Sequence, residues 1–185
     1  MAASVVRAVL VSTLICSAAP AQSAEVPPPA YQAIAIPEGV PSEVLYAIAL
    51  QESGTRVRGR TIPWPWTLNV AGTGYRFATR NDACRALQIA IVSVGPARVD
   101  VGLGQTNLQA NGHRYTELCE GLDPHKNLRV TAQILAEQKA KVGTWIAAAG
   151  RYHRPAGGAP AARYRRAFTE HLSRVTGINL KTETP

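Results

Sequence analysis

The stretch PSEVLYAIALQESG, at 41–54, leaves the chain little choice but a helix. Pro41 and Ser42 form an N-cap region, and Gly54 stands where a helix ends. Between them Val44, Leu45, Ile48 and Glu52 fall at helical spacing on one face. A carboxylate therefore shares the apolar stripe, and it does so in the last turn, where the helix dipole is already negative. Any fold that buries this stripe must accommodate Glu52.

Further segments carry helical spacing of their own. Thr79, with Asp82 three residues on, caps a stripe of Ala83, Leu87, Ala90, Ile91 and Val94 that stops before Gly95-Pro96. Asp123-Pro124 is a good N-cap and N1 pair, opening a long helix whose apolar side is Leu128, Ala132, Leu135 and Val142. Gly143 breaks or caps that helix, 145–149 continue helically, and 161–174 form a last, strongly basic helix. One region reads differently. The runs 67–70 and 75–78 flank the turn AGTG, which is the pattern of a β-hairpin. The glycines at 102 and 104 favour a tight turn opening a short helix. At 185 residues this describes a single, mostly helical domain over 41–174 with one small inserted hairpin. The proline-rich segment 25–40 is expected to be an extended arm, and 175–185 a flexible tail.

The first 24 residues have the order of an export signal: Arg7, an apolar run over 8–18, then small residues with Ala19-Pro20-Ala21 as an A-x-A site and Ala24 as a second end point. That run is too short to span a bilayer comfortably. The expectation is a periplasmic protein with no stable membrane insertion after signal cleavage. Cys16 leaves with the signal, and in an oxidising compartment the remaining pair, Cys84 and Cys119, is expected to form a disulfide. There is no CxxC, and His113, His125, His153 and His171 lack ligand spacing, so neither metal nor cofactor is expected. A net charge of +8 favours an anionic partner: nucleic acid, membrane surface or wall polymer. The basic run RYRRAFTEHLSR at 163–174 reads as a solvated helix face rather than a nucleic-acid site, since export removes most nucleic acid.

Taken by itself, Glu52 has two readings. It is a snorkelling last-turn side chain, or one paired with Arg56 or Arg58; or else burial and the helix end both raise its pKa, as a general acid near neutral pH requires. Asp100 is the other acid beside the glycine turn, either a second carboxylate of the kind glycosidases use or an anchor for that turn.

The series ALQESG, DVGLGQTN, LDPHKNLRVTAQIL and AAAGRYHRP, in that order over about 41–172, resembles the soluble lytic transglycosylase domain. The insert PWPWTLNVAGTGYRFAT is similar to that of the lytic transglycosylases associated with conjugation, type IV secretion and integrating conjugative elements. The resemblance implies a mainly α, lysozyme-like (α+β) fold. It also implies cleavage of β-1,4 MurNAc–GlcNAc bonds in peptidoglycan with 1,6-anhydro ends, and as partners glycan strands and components of a secretion or conjugation apparatus. Glu52 then matches the single catalytic acid, and Ser53 helps orient the carboxyl or the substrate. Gly102, Leu103, Gly104, Gln105, Thr106 and Asn107 match the GLMQ-x-N pattern: the glycines let backbone approach the saccharide, and Gln105 and Asn107 hydrogen-bond N-acetyl groups. Gly104 departs from the usual Met, which implies a less bulky pocket wall. Asp123, Pro124 and Asn127 match the scaffold behind the site. Tyr152 matches the cleft tyrosine, and His153 departs from the usual Asn. Trp64 and Trp66 are either a groove wall for sugar stacking or a hairpin packed on the domain. A hydrolytic muramidase and a non-catalytic wall-binding assembly factor are the competing expectations.

Overall fold

The computed structural model describes residues 24–180. The segment read as an export signal, up to residue 23, and the last five residues of the chain lie outside the described residues. Helix α1, Pro29–Ala35, precedes α2, Ser42–Ser53. Within the segment 25–40, expected as an extended arm, residues 29–38 are thus helical. Pro29 starts it at a position where the missing N–H costs nothing, and Tyr31, Ile34 and Ala35 are buried on the face it turns inward. Helix α2 also exceeds expectation. Val44 through Leu50 are all buried, not one stripe of them, because α1 and later helices surround it and Ala47 and Ala49 let them approach.

Two hairpins follow rather than one. Strands β1, Gly54–Val57, and β2, Arg60–Pro63, pair antiparallel around Arg58-Gly59. Strands β3, Thr67–Val70, and β4, Thr73–Arg76, pair around Ala71-Gly72. In both two-residue turns each residue has positive φ, the type I′ sense that matches strand twist. Helix α3, Arg80–Val94, is capped by Thr79, whose Oγ1 accepts from the Asp82 amide. Next come β5, Val99–Val101, and β6, Thr106–Asn107, which join the second hairpin in an antiparallel sheet of order β4-β3-β5-β6. Residues 99–101 are too few to show a period, and β3 pairing makes them a strand.

The remainder is helical: α4, Leu108–Asn111; α5, Pro124–Val142; α6, Trp145–His153; and α7, Gly158–Thr176. Asp123 caps α5 by accepting from the Lys126 amide at 2.9 Å, and Gly143 ends it in the left-handed conformation. The chain is mainly α, with two small sheets among the described residues. Helix α5 divides two apolar cores. Leu128, Ala132 and Leu135 face the helical core with α2 and Phe168 of α7, while Val130 and Ile134 face the core beneath the sheet and α3. Cys84 of α3 is bonded to Cys119, Cα atoms 5.5 Å apart, fastening α3 to the turn that leads into α5. The tail begins later than expected: α7 runs to Thr176, Val175 is buried, and Leu180 packs on the helical core.

Candidate active site

A cleft of about 640 Å³ separates the sheet from the helices. The sheet side contributes Thr67, Asn69, Asp100 and Asn107; the helical side contributes Gln138, Arg151, Tyr152 and His153; Glu52 lies between them. This size suits a saccharide-sized ligand.

Glu52 is partly buried in the last turn of α2, and it is paired with neither Arg56 nor Arg58. Its Oε1 accepts a 2.6 Å hydrogen bond from the Tyr164 hydroxyl on α7. Burial raises its pKa from the ordinary 4.5 to about 7; the Tyr164 donation acts against that rise and the charge of Asp100 adds to it. The group is thus poised between acid and base near neutral pH.

The segment 102–107 is held from behind. Asn127 of α5, fully buried, donates from Nδ2 to the carbonyls of Val101 and Gly121 at 3.0 Å, and its Oδ1 accepts from the Gly104 amide at 2.8 Å. Gly102 has φ +76, and a Cβ there would fall 2.4 Å from Asn127 Nδ2. At Gly104 a Cβ would lie 2.0 Å from Thr131 Oγ1 and 2.9 Å from the Tyr152 hydroxyl. The absence of a side chain at 104 therefore does not widen the cleft. It lets the Tyr152 hydroxyl reach the Gly104 carbonyl, to which it donates at 2.5 Å.

Of the residues singled out in the sequence, the structure brings Glu52, Asp100, Gln105, Thr106, Asn107, Tyr152 and His153 to the cleft. Gln105, at φ 46, spends its amide nitrogen on the carbonyls of Gly102 and Thr67, so Oε1 is the atom it can offer a ligand. Asn107 caps α4 through Oδ1 and donates to Asp100 Oδ1 at 2.9 Å, so most of its capacity is spent on structure. Ser53, Gly102 and Leu103 stand behind the cleft. Ser53 is fully buried, its Oγ 2.9 Å from the carbonyls of Ala49 and Leu103, and it ties α2 to the 102–107 segment rather than orienting the Glu52 carboxyl.

Trp64 and Trp66 meet edge to face, ring centroids 6.1 Å apart, and do not line the Glu52 cleft. Trp64 donates to the Phe77 carbonyl at 2.7 Å and lines a separate depression with Thr55, Val57 and Arg76. Arg76 lines the cleft as well, so the two are adjacent. Trp66 packs on the core beneath the sheet.

Tyr164 and Asn69 escaped sequence reasoning, and His153 was noticed without its partner. Tyr164 lies inside the basic run 163–174 that reads as a solvated helix face, yet it is buried. Asn69 donates to Asp100 Oδ2 at 3.0 Å, completing with Asn107 a pair of amides that hold one carboxylate oxygen each. Burial raises the Asp100 pKa, and those two donations oppose the rise. His153, noticed only as a departure from the usual Asn, lies parallel to Tyr164 with centroids 4.6 Å apart. Among the described residues no group of three or more His, Cys, Asp or Glu could hold a metal ion, and no single helix is long and apolar enough to cross a membrane.

No protein-family model, curated protein or solved structure matches the chain.

Proposed function

We propose that the protein is a peptidoglycan lytic transglycosylase of lysozyme-like fold, with Glu52 as its acid and base. The observation that carries this reading is a partly buried carboxyl with its pKa raised to about 7, set in a cleft between a small sheet and a helical wall. Protonated Glu52 gives its proton to the glycosidic oxygen between MurNAc and GlcNAc as the bond to the muramic C1 breaks. The resulting carboxylate then removes the proton of the C6 hydroxyl on the same sugar, and that oxygen bonds to C1. The acid is regenerated, water is not consumed, and the product ends in 1,6-anhydro-MurNAc.

Several observations support the reading. Gln105 Oε1 suits the N–H of an N-acetyl group, and Tyr152 combines a flat apolar face with a polar tip beside Glu52. The disulfide suits the periplasm that the leader-like N-terminus implies, and net charge +8 suits an anionic wall. The likeness of the insert at 63–79 supports local wall opening for a secretion or conjugation apparatus as the setting.

Asp100 favours a second reading. A second carboxylate in the same cleft is what a hydrolytic muramidase uses to activate water. Digestion of purified peptidoglycan followed by mass spectrometry separates the two. Anhydro ends support the transglycosylase, and ends one water heavier support the muramidase. Release of no muropeptides, with wall binding retained in Glu52→Gln, leaves a non-catalytic wall-binding factor.

A further inference from the structure

His153 is the last residue of α6 and is exposed at the cleft. Its ring lies on that of Tyr164 with centroids 4.6 Å apart and planes within 8°. Tyr164, buried, donates from its hydroxyl to Glu52 Oε1 at 2.6 Å. An imidazole, a phenol and a carboxyl are thus linked in series, contributed by α6, α7 and α2.

The torsion that rotates a tyrosine ring is broad, so its setting depends on what packs against the ring faces. A hydrogen bond of this length to a carboxylate is also sensitive to competing water. His153 acts on both, since it covers a face of Tyr164 beside the cleft. We propose that His153 is a positioning residue for Glu52: its stacked ring holds the Tyr164 hydroxyl on Oε1 and shields that bond from water, leaving Oε2 to work on the substrate. The inference rests on Glu52 being the acid of the site.

The direction of the effect follows from the chemistry. Tyr164 donates to the charged form of Glu52 and so favours it; loosening the donor raises the Glu52 pKa. The ionisable groups acting on Glu52 are Tyr164 of α7, Tyr152 of α6 and Asp100 of β5. Those acting on His153 are Asp100 and Arg154, with Tyr164 stacked on it. Burial lowers the His153 pKa, Asp100 acts against the shift and Arg154 adds to it.

The test is a carbon-13 NMR titration of the Glu52 carboxyl in the full chain without substrate, for the unsubstituted protein, His153→Ala, His153→Phe and Tyr164→Phe. Both His153 variants remove the imidazole as an ionisable group, so the difference between them reads the stack alone. His153→Phe keeps a flat ring on Tyr164. The expected midpoint in His153→Ala lies at least about half a pH unit above that of His153→Phe, and Tyr164→Phe lies higher still. Equal midpoints in the two His153 variants overturn the proposal. So does a His153→Ala enzyme whose KM rises while the alkaline limb of its rate profile stays with that of His153→Phe, because His153 then serves as a platform for sugar. The titration needs no turnover. If no variant or parent cleaves peptidoglycan but the midpoints separate as expected, the assignment of Glu52 as acid fails and the positioning stands. If Glu52→Gln abolishes cleavage and the midpoints coincide, the positioning alone fails.

Discussion

The Tyr164 hydroxyl lies 2.6 Å from Glu52 Oε1 and joins the last turn of α2 to α7 across a sequence separation of 112. Glu52 is therefore a partly buried carboxyl steadied by one donor, and its protonation state is set by a balance of burial, that donor and Asp100.

A general acid must start protonated, so the proposed cleavage of peptidoglycan by Glu52 is expected to decline as pH rises through about 7, where that carboxyl loses its proton. Tyr164→Phe removes a donor that favours the carboxylate, so the alkaline limb should move to higher pH. Turnover should fall by about tenfold or more as the carboxyl loses its fixed direction. Rate profiles on purified sacculi measure both effects, and a limb displaced to lower pH would contradict the assigned cause.

The same raised pKa has a cost in stability. Above the unfolded value of 4.5 the unfolded chain has released a proton that the folded chain retains up to about 7, so stability falls across that window. Glu52→Gln has no proton to hold and should be more stable than the parent at pH 8 by about 1–3 kcal/mol, allowing for solvent screening at the cleft, with no gain at pH 4. Thermal melts at the two pH values decide this; an equal gain at both would point to packing instead.

Asn127 should matter more to the fold than any cleft residue. Its removal leaves the Gly104 amide and the carbonyls of Val101 and Gly121 without their buried partner. Asn127→Ala should cost about 3 kcal/mol or more in urea unfolding. Asn127→Asp keeps the shape but aims an acceptor oxygen at two carbonyls, and should be no milder.

Gly104→Ala should reduce both stability and turnover, because the new methyl meets Thr131 Oγ1 and displaces the Tyr152 hydroxyl from the Gly104 carbonyl. Thr131→Ala removes the nearest obstructing atoms. The double variant should therefore recover part of the loss, with a coupling of about 1 kcal/mol or more in a double-mutant cycle. Additive losses would mean that Thr131 is not the obstruction.

Reduction of the Cys84–Cys119 bridge, with a sequence separation of 35, should lower stability by about 3–4 kcal/mol through the added freedom of the unfolded chain. Melts with and without reductant, at constant pH, measure it.

Much of this fold is written in short-range chemistry. Thr79 and Asp123 announce helix starts because a cap is satisfied within three residues, and Gly143 ends α5 where only a local backbone conformation is needed. Glu52 stood out for the same reason, as a carboxyl among apolar positions one helical turn apart. The helix at 29–35 was hidden by three prolines that read as extended chain, although Pro29 is well placed to begin it. Strand β5 was hidden because three residues carry no period, and only pairing with β3 defines it.

The sequence by itself determined the starts of α2, α3 and α5, the hairpin at Ala71-Gly72 and the unusual place of Glu52, since each depends on residues within a turn or two. Tertiary structure alone decided what surrounds that carboxyl. Tyr164 on the acid, His153 on Tyr164, Asn69 on Asp100 and Asn127 behind Gly104 join residues far apart in the chain. A buried tyrosine or asparagine has the same local signature whichever neighbour it meets. Only packing chooses that neighbour, and with it the raised pKa of Glu52.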